Sequence, residues 1–555
     1  MHRACVIGAG SSGLAACQAL HGRGIPFDCF EAGSSVGGNW RYGNDNGMSS
    51  AYRSLHAKSS RRGMQYAAFP MPDGYPDYLS HERVARYLDD FADHFGFRGS
   101  IRFRTEVTRV EPVPGGGWEV TARSRDTGAE CTGRYGAVLV ANGHHWDPRL
   151  PAFPGAGAFA GEQIHSHQYR GPEPFAGKRV LVLGIGNSAC DVAADCSRLG
   201  ARTLIAARAG AHIIPRYLAG RPADHLTLMR AGPMLPLWLR RFAVAVLVRI
   251  ARGTAAKYGL PKPGHRLLCG PLAVSDSLLS GLRRGEIAVK PAIDRFERDR
   301  VRFRDGSTER ADVVIYCTGY NISFPFLRES LIGARDGEIP LYRRVAAPAL
   351  PGLYFIGLVQ PIGAIMPVAE AQSQWVADLL EGRAALPPVP EMNREITRYR
   401  RAIARRYDRT GGHAIHVDFL PYLREIRKER AAGAQRRRDG AGYRWAAAAS
   451  GLCRPCRATE GRSALAEGWS APAEGCCAGR PGSASAATSE AAVRPNATQN
   501  VAPNASASAG RARAGSAAAS APTPVMLPPK PGSRVLIACC RVTASSAVPS
   551  EPAMR

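Results

Sequence analysis

What this 555-residue chain lacks narrows its class before any motif is read. It has no long apolar run. The most hydrophobic stretch, residues 235–250 (LPLWLRRFAVAVLVRI), carries Arg240, Arg241 and Arg249, whereas a membrane-spanning helix needs about 20 consecutive apolar residues. An amphipathic surface or core helix is expected there, with membrane-surface attachment as the lesser reading. A signal peptide is not expected either: the apolar pair Val6–Ile7 is cut at once by glycines that a tight turn accounts for, so the expected compartment is the cytoplasm. Acidic residues are few, 46 against 73 Lys and Arg, for a net charge of +27. From Ala446 onward eleven Lys and Arg face five Asp and Glu, so most of the excess belongs to the body. Its arginines are scattered, with no basic run interleaved with aromatics, which argues against a nucleic-acid partner; a surface that attracts a phosphate-bearing cofactor is explanation enough.

A disulfide framework is absent as well, although there are fourteen cysteines. Cys5, Cys17, Cys29, Cys131, Cys190, Cys196, Cys269 and Cys317 fall singly in apolar strand or helix contexts, as reduced buried thiols do. Cys453 and Cys456 form a lone C-x-x-C with no second pair and no tail histidine, so no metal site is expected. No Ser–His–Asp constellation is apparent.

Two glycine turns organise what is present. In KRVLVLGIGNSACD (178–191) a short apolar strand is followed by Gly184, Gly186 and Ala189 in G-x-G-x-x-A spacing, opening a helix that carries Ser188 and Asp191. In ACVIGAGSSG the same pattern follows Cys5–Ile7 as Gly8, Ala9, Gly10, Ser11, Ser12 and Gly13. Such turns let the backbone approach a pyrophosphate and aim a helix N-terminus at it. Two of them, about one domain apart, predict two nucleotides bound by one enzyme.

In chain order, residues 3–7 are expected as strand, 11–21 as helix and 26–30 as a second strand. Glu31 then stands about twenty residues past the turn, where an acid binds ribose hydroxyls. GGNW (37–40) is a flexible turn, and residues 45–74 a Gly/Ser/Pro-rich loop suited to wrapping a ligand. Helical spacing returns at 81–95 through Val84, Tyr87, Leu88 and Phe91. Two similar stretches follow, one after each glycine turn: strand, turn, strand and an apolar strand ending in Ala141-Asn142-Gly143, and the same order ending in Cys317-Thr318-Gly319. The echo predicts two related α/β units. After the second strand of the later unit, 203–206, no acid follows; Arg208 does, which suits a 2′-phosphate and points to NADPH, leaving Glu31 to mark an FAD site. The glycines of 155–161 follow prolines rather than a strand and are not read as a nucleotide loop. The last body strand is expected at 353–358, followed by Gln360 and a helix near 367–380 whose N-terminal dipole would favour the flavin's negative edge.

At FAGEQIHSHQY, with Phe159, Gly161, His165 and Tyr169, the chain resembles the FxGxxxHxxxY fingerprint of class B flavin-containing monooxygenases. EAGSSVGGNW, GIGNSACD, YCTGY and PGLYFIGLVQPIGAIMPVAE resemble that family in its order, from about Arg3 to about Arg430; Baeyer–Villiger relatives carry Trp where Tyr169 stands. The resemblance implies an α/β fold with two Rossmann-like dinucleotide-binding domains. The FAD domain would be discontinuous (1–170 and 326–444), the NADP domain inserted at 171–325, and the low-complexity tail 445–555 disordered. It implies that NADPH reduces FAD, and that O2 then forms a C4a-(hydro)peroxyflavin that oxygenates a small amine or sulfide, as in N,N-dimethylaniline monooxygenase activity.

By the same resemblance Asn39, Trp40 and Ala57 join the FAD-binding residues, and Lys58 and Ser59 occupy the catalytic position; His165 is read as structural or as a hinge. Lys58 departs from the family, which commonly has a neutral amide there. Its ammonium would favour oxygenation of ketones, aldehydes or 2-oxo acids, or the protein would bind nucleotides with impaired catalysis. A disulfide reductase would need a redox-active cysteine pair, and none is close in the body sequence. Homo-oligomer formation is left open.

Overall fold

Four successive buried residues, Ala4–Ile7, form the middle strand of a five-stranded sheet. The computed structural model describes residues 3–225, 237–264, 267, 272–332, 339–406 and 415–442. The sheet order is Leu353–Phe355, Ala137–Val140, Ala4–Ile7, Phe27–Phe30, Ile101–Arg102, and every pair is parallel. Parallel strands are covered on both faces and therefore read as unbroken apolar runs rather than alternating ones. Ala4, Val6, Phe27, Cys29 and Leu139 point into one core, and Cys5, Ile7, Phe30, Val138 and Val140 into the other. The Ser11–His21 helix makes the first crossover and packs beside the Met366–Leu380 helix, to which Arg23 is tied by a 2.7 Å ion pair with Asp378.

A second five-stranded parallel sheet runs Ile287–Lys290, Arg202–Ala206, Arg179–Leu183, Val313–Tyr316, Glu162–His165. It too has a core on each face, with Val180, Val182, Ile205 and Ile315 in one and Leu181, Leu183, Leu204 and Val314 in the other. Each sheet is accompanied by a three-stranded antiparallel meander: Thr105–Pro112, Trp118–Ser124 and Glu130–Tyr135 beside the first, and Ile293–Phe296, Arg300–Phe303 and Thr308–Arg310 beside the second. The echo expected from the sequence is thus present. The chain leaves the first sheet through Asp147–Pro148 and returns to it through Tyr320–Asn321, and these two passages pair antiparallel with each other.

Several expectations need adjusting. Residues 353–358 are strand only to Phe355, because Gly357 takes φ +77 and turns the chain away. The loop 45–74 contains one helical turn, Arg61–Met64. Residues 237–252 are helical, with Phe242, Val246 and Ile250 exposed four residues apart, and among the described residues no helix is long and apolar enough to cross a membrane. The cysteines are not all isolated or buried. Cys131 is exposed, and the Cys29 thiol meets that of Cys17, a contact that together with burial pushes its pKa well up. A buried thiol held protonated in this way, as that of Cys29 is, lacks the thiolate that redox exchange needs. Residues 235–236, Cys269 and the tail with Cys453 and Cys456 lie outside the described residues.

Candidate functional site

The first glycine turn is shaped by contacts that no side chain would permit. Gly8 has φ +98, and a Cβ on Gly13 would lie 1.8 Å from the Gly8 carbonyl oxygen. Gly10 faces Gly38, where a Cβ would come within 2.9 Å of the Gly10 Cα. The GGNW segment, a short turn over Gly38–Trp40, is docked there through the Gly37 N–H to the Ala9 carbonyl at 3.0 Å. Asn39 accepts from the Ser50 N–H (2.7 Å) and hydroxyl (2.9 Å), and Trp40 packs against the core. Glu31 is buried, and burial raises its pKa. One of its oxygens accepts from Ala9 N–H at 2.7 Å and the other from Gly33 N–H at 2.8 Å and the Asn46 amide at 3.2 Å. A carboxylate has about four acceptor positions, so Glu31 braces the turn and retains capacity for ribose hydroxyls.

The return segment closes this site from the far end of the chain. Gly357 passes so close to Ser12 that a Cβ would sit 2.0 Å from its hydroxyl oxygen. Gln360-Pro361 pairs with His416-Val417, and the helix Met366–Leu380 begins just beyond. That helix shares its core with the Ser11–His21 helix, and the first N–H groups of each have no partner within their own helix.

The second turn repeats the design. Gly184 has φ +130, and a Cβ there would lie 2.5 Å from the Cys317 carbonyl oxygen. Gly186 precedes the Asn187–Cys196 helix, Ser188 is partly exposed in its first turn, and Ala189 is buried against the sheet. Asn187 accepts from Val274 N–H at 2.8 Å. Arg208, two residues past the Arg202–Ala206 strand, is exposed and makes no ion pair among the described residues.

The loop 52–60 makes a contact with the helix of the second turn that the sequence did not disclose. Asp191, on the helix of the second turn, accepts from the Lys58 ammonium at 2.5 Å and from the Tyr52 hydroxyl at 2.6 Å, both on one oxygen. Lys58 therefore neither faces open solvent nor stands alone; its side chain is 18% exposed and that of Asp191 13%. Asp195, one turn on, accepts from the hydroxyls of Ser54 and, at 3.5 Å, Tyr169. Asp224 accepts from the Ser60 N–H at 2.7 Å and its hydroxyl at 2.8 Å. Thus the loop 52–60 gives four side chains to three carboxylates of the later segment. Ala57 is buried, and Ser59 lies partly exposed between Lys58 and Ser60. Tyr52, Ser54, Asp195 and Asp224 were missed because the pairs Tyr52–Asp191, Ser54–Asp195 and Ser60–Asp224 each span more than 130 residues, with no local pattern linking them.

The residues of the fingerprint around His165 are packing residues. A Cβ on Gly161 would meet the Phe159 ring at 2.5 Å and the Asp312 carbonyl at 2.8 Å. His165 is buried, its Nδ1 accepts from His167 N–H at 3.1 Å, and its ring stands edge-on to Tyr320 at 5.1 Å, beside the paired passages between the sheets. Burial lowers its pKa to about 4.

Comparison with known proteins agrees with this architecture. Residues 1–435 match the family described as flavin-binding monooxygenase-like. Flavin-containing monooxygenase 5 of Oryctolagus cuniculus is 36% identical over 444 residues, covering 76% of this chain and 82% of that protein. Dimethylaniline monooxygenase [N-oxide-forming] 2 of Rattus norvegicus is 33% identical, covering 77% and 82%. Among solved structures, S-allyl-L-cysteine S-oxygenase from Allium sativum superposes with a TM-score of 0.59 at 26% identity, covering 79% of this chain and 92% of that one.

Proposed function

The chain belongs to the flavin-binding monooxygenase-like family, and from that premise we propose that it is an NADPH- and O2-dependent FAD enzyme placing one oxygen atom on the nitrogen of a small amine or the sulfur of a sulfide. The observation that supports this reading is the presence of two glycine-shaped strand-to-helix turns, one on each parallel sheet, with the loop 52–60 tied to the helix of the second turn through Lys58 and Asp191. Gly8, Ala9, Gly10, Ser11, Ser12 and Gly13 would hold the FAD pyrophosphate, Glu31 its ribose, Asn39, Trp40 and Ala57 the adjoining wall, and Gln360 with the helix behind it the pyrimidine end. Gly184, Gly186, Ser188 and Ala189 would hold the NADPH pyrophosphate and Arg208 its 2′-phosphate, with residues 1–170 and 326–444 forming the FAD domain and 171–325 the NADP domain. When bound, FAD supplies the electron storage and oxygen activation that no side chain here provides. The protein's share is to orient two cofactors and to exclude water; the enzyme is proposed to work in the cytoplasm without a nucleic-acid partner.

The names of the relatives, one N-oxide-forming and one an S-oxygenase, support amines and sulfides as the substrate class. Pairing with Asp191 consumes the Lys58 charge, which favours that class over carbonyl compounds. Purified protein incubated with NADPH under labelled O2 and a panel of amines, including N,N-dimethylaniline, sulfides and ketones tests the reading by mass spectrometry. One labelled oxygen in an N- or S-oxide is expected. Bound FAD with no NADPH-dependent product would make the protein a nucleotide binder, and ketone products alone would return the carbonyl reading.

A further inference from the structure

Asp191 stands where a free carboxylate would do harm. It lies four residues into the Asn187–Cys196 helix, which is about 6 Å along the axis from the helix start at 1.5 Å per residue. Helical Cβ atoms lean toward the N-terminus, bringing the carboxylate nearer still to the end that would receive a pyrophosphate. A helix N-terminus attracts anions through its free N–H groups and dipole, and an uncompensated negative charge one turn away opposes that attraction. In this protein the compensation comes from the other nucleotide unit. Lys58 meets Asp191 at 2.5 Å in a largely buried pair, and among the described residues no other Lys or Arg pairs with Asp191. Tyr52 binds the same oxygen. A pair this far out of water is little screened by salt.

We propose that Lys58 is a positioning residue for the dinucleotide: by cancelling the charge of Asp191 from across the two units, it lets the second glycine turn accept an anionic pyrophosphate. The inference rests on the proposed NADPH site, and assigns Lys58 a role toward that nucleotide rather than toward the flavin. It makes the affinity of the second turn depend on a residue of the first unit, so the turn binds well only while the two are apposed.

Calorimetric titration of the full-length, FAD-loaded protein with NADP+ and NAD+ tests this without recourse to turnover. Lys58→Met should weaken both dinucleotides by a similar factor, roughly ten- to hundredfold, because both share the pyrophosphate. Lys58→Arg should restore binding. Asp191→Asn should bind as well as wild type or more tightly, because it removes the repulsion and leaves the cation, and Lys58→Met/Asp191→Asn should return to within about threefold of wild type. Weakening in Lys58→Met without weakening in Asp191→Asn is what a merely structural latch would not produce. Unchanged affinity in Lys58→Met, equal weakening in Asp191→Asn, or a double variant as weak as Lys58→Met would each overturn the proposal. Should Lys58→Met not fold, Asp191→Asn decides by itself. A wild type that binds neither dinucleotide would instead overturn the NADPH reading, and this inference with it.

Discussion

Ser12 and Gly357 touch across 345 positions of sequence: a Cβ on Gly357 would lie 2.0 Å from the Ser12 oxygen and 2.9 Å from its Cβ. The contact pins the exit of the returning strand to the start of the first helix, where the FAD pyrophosphate is proposed to bind. It is held in turn by Gln372, which accepts from Gly357 N–H at 2.8 Å and donates to the Tyr422 hydroxyl at 2.7 Å.

Gly357→Ala should therefore lower flavin occupancy and stability together. A non-glycine residue in a left-handed conformation costs about 1–2 kcal/mol, and Ser12 must also shift. The flavin-to-protein absorbance ratio and the thermal midpoint report the two effects; a variant with full flavin content and an unchanged midpoint would show that the contact is slack.

Nucleotide choice should follow Arg208. A charge-assisted contact to a 2′-phosphate contributes about 1.5–3 kcal/mol, so Arg208→Ala should raise the KM for NADPH roughly ten- to hundredfold and leave that for NADH nearly unchanged. Equal effects on both would remove Arg208 from the site. The contrast with Lys58→Met, expected to weaken both dinucleotides alike, separates 2′-phosphate recognition from pyrophosphate acceptance.

Acid should destabilise the fold through His165. Its folded pKa of about 4 lies below the ordinary value of 6.5, so between those pH values the unfolded chain takes up a proton that the folded one refuses. Stability is then complete above about pH 6.5 and falls as pH drops toward 4, by about 2 kcal/mol at pH 5. Urea titrations at pH 7.5 and 5.0 should show a smaller acid loss in His165→Gln than in wild type; identical losses would assign the acid sensitivity elsewhere.

Arg344 should be among the costliest single residues to replace. It is buried, 3.1 Å from Glu425 and 3.5 Å from Glu395, and lies 3.5 Å over the Tyr399 ring. Arg344→Met removes one of the two cations on those carboxylates and leaves Arg343 with both, so the cost should approach that of a broken buried pair, about 3–5 kcal/mol, only if Arg343 does not take over. Chemical denaturation measures it, and a loss under about 1 kcal/mol would mean that neighbouring Arg343, which also pairs with both acids, compensates.

The edge strands Ile101–Arg102, Ile287–Lys290 and Glu162–His165 were not legible in the sequence, whereas the inner strands of both parallel sheets, their glycine turns, the flanking helices and the repeated meander were. Those features follow from short-range causes: unbroken apolar runs mark strands covered on both faces, glycine spacing marks backbone that must approach closely, and a period near 3.6 marks helices such as His81–His94. Glu31 and Arg208 were singled out by their distance to a strand end, and their nucleotide roles remain the proposal. What the tertiary structure alone decided were meetings between residues far apart in the chain. The Lys58 charge looked free for the flavin and is spent on Asp191 133 residues away; cysteines that looked isolated include a touching pair, Cys17 and Cys29; Ser60, rather than Ser59, is fixed to a carboxylate. No local pattern encodes such pairs, because a side chain's partner is set by how sheets, helices and loops pack together, and that packing depends on the whole surface rather than on any window of sequence.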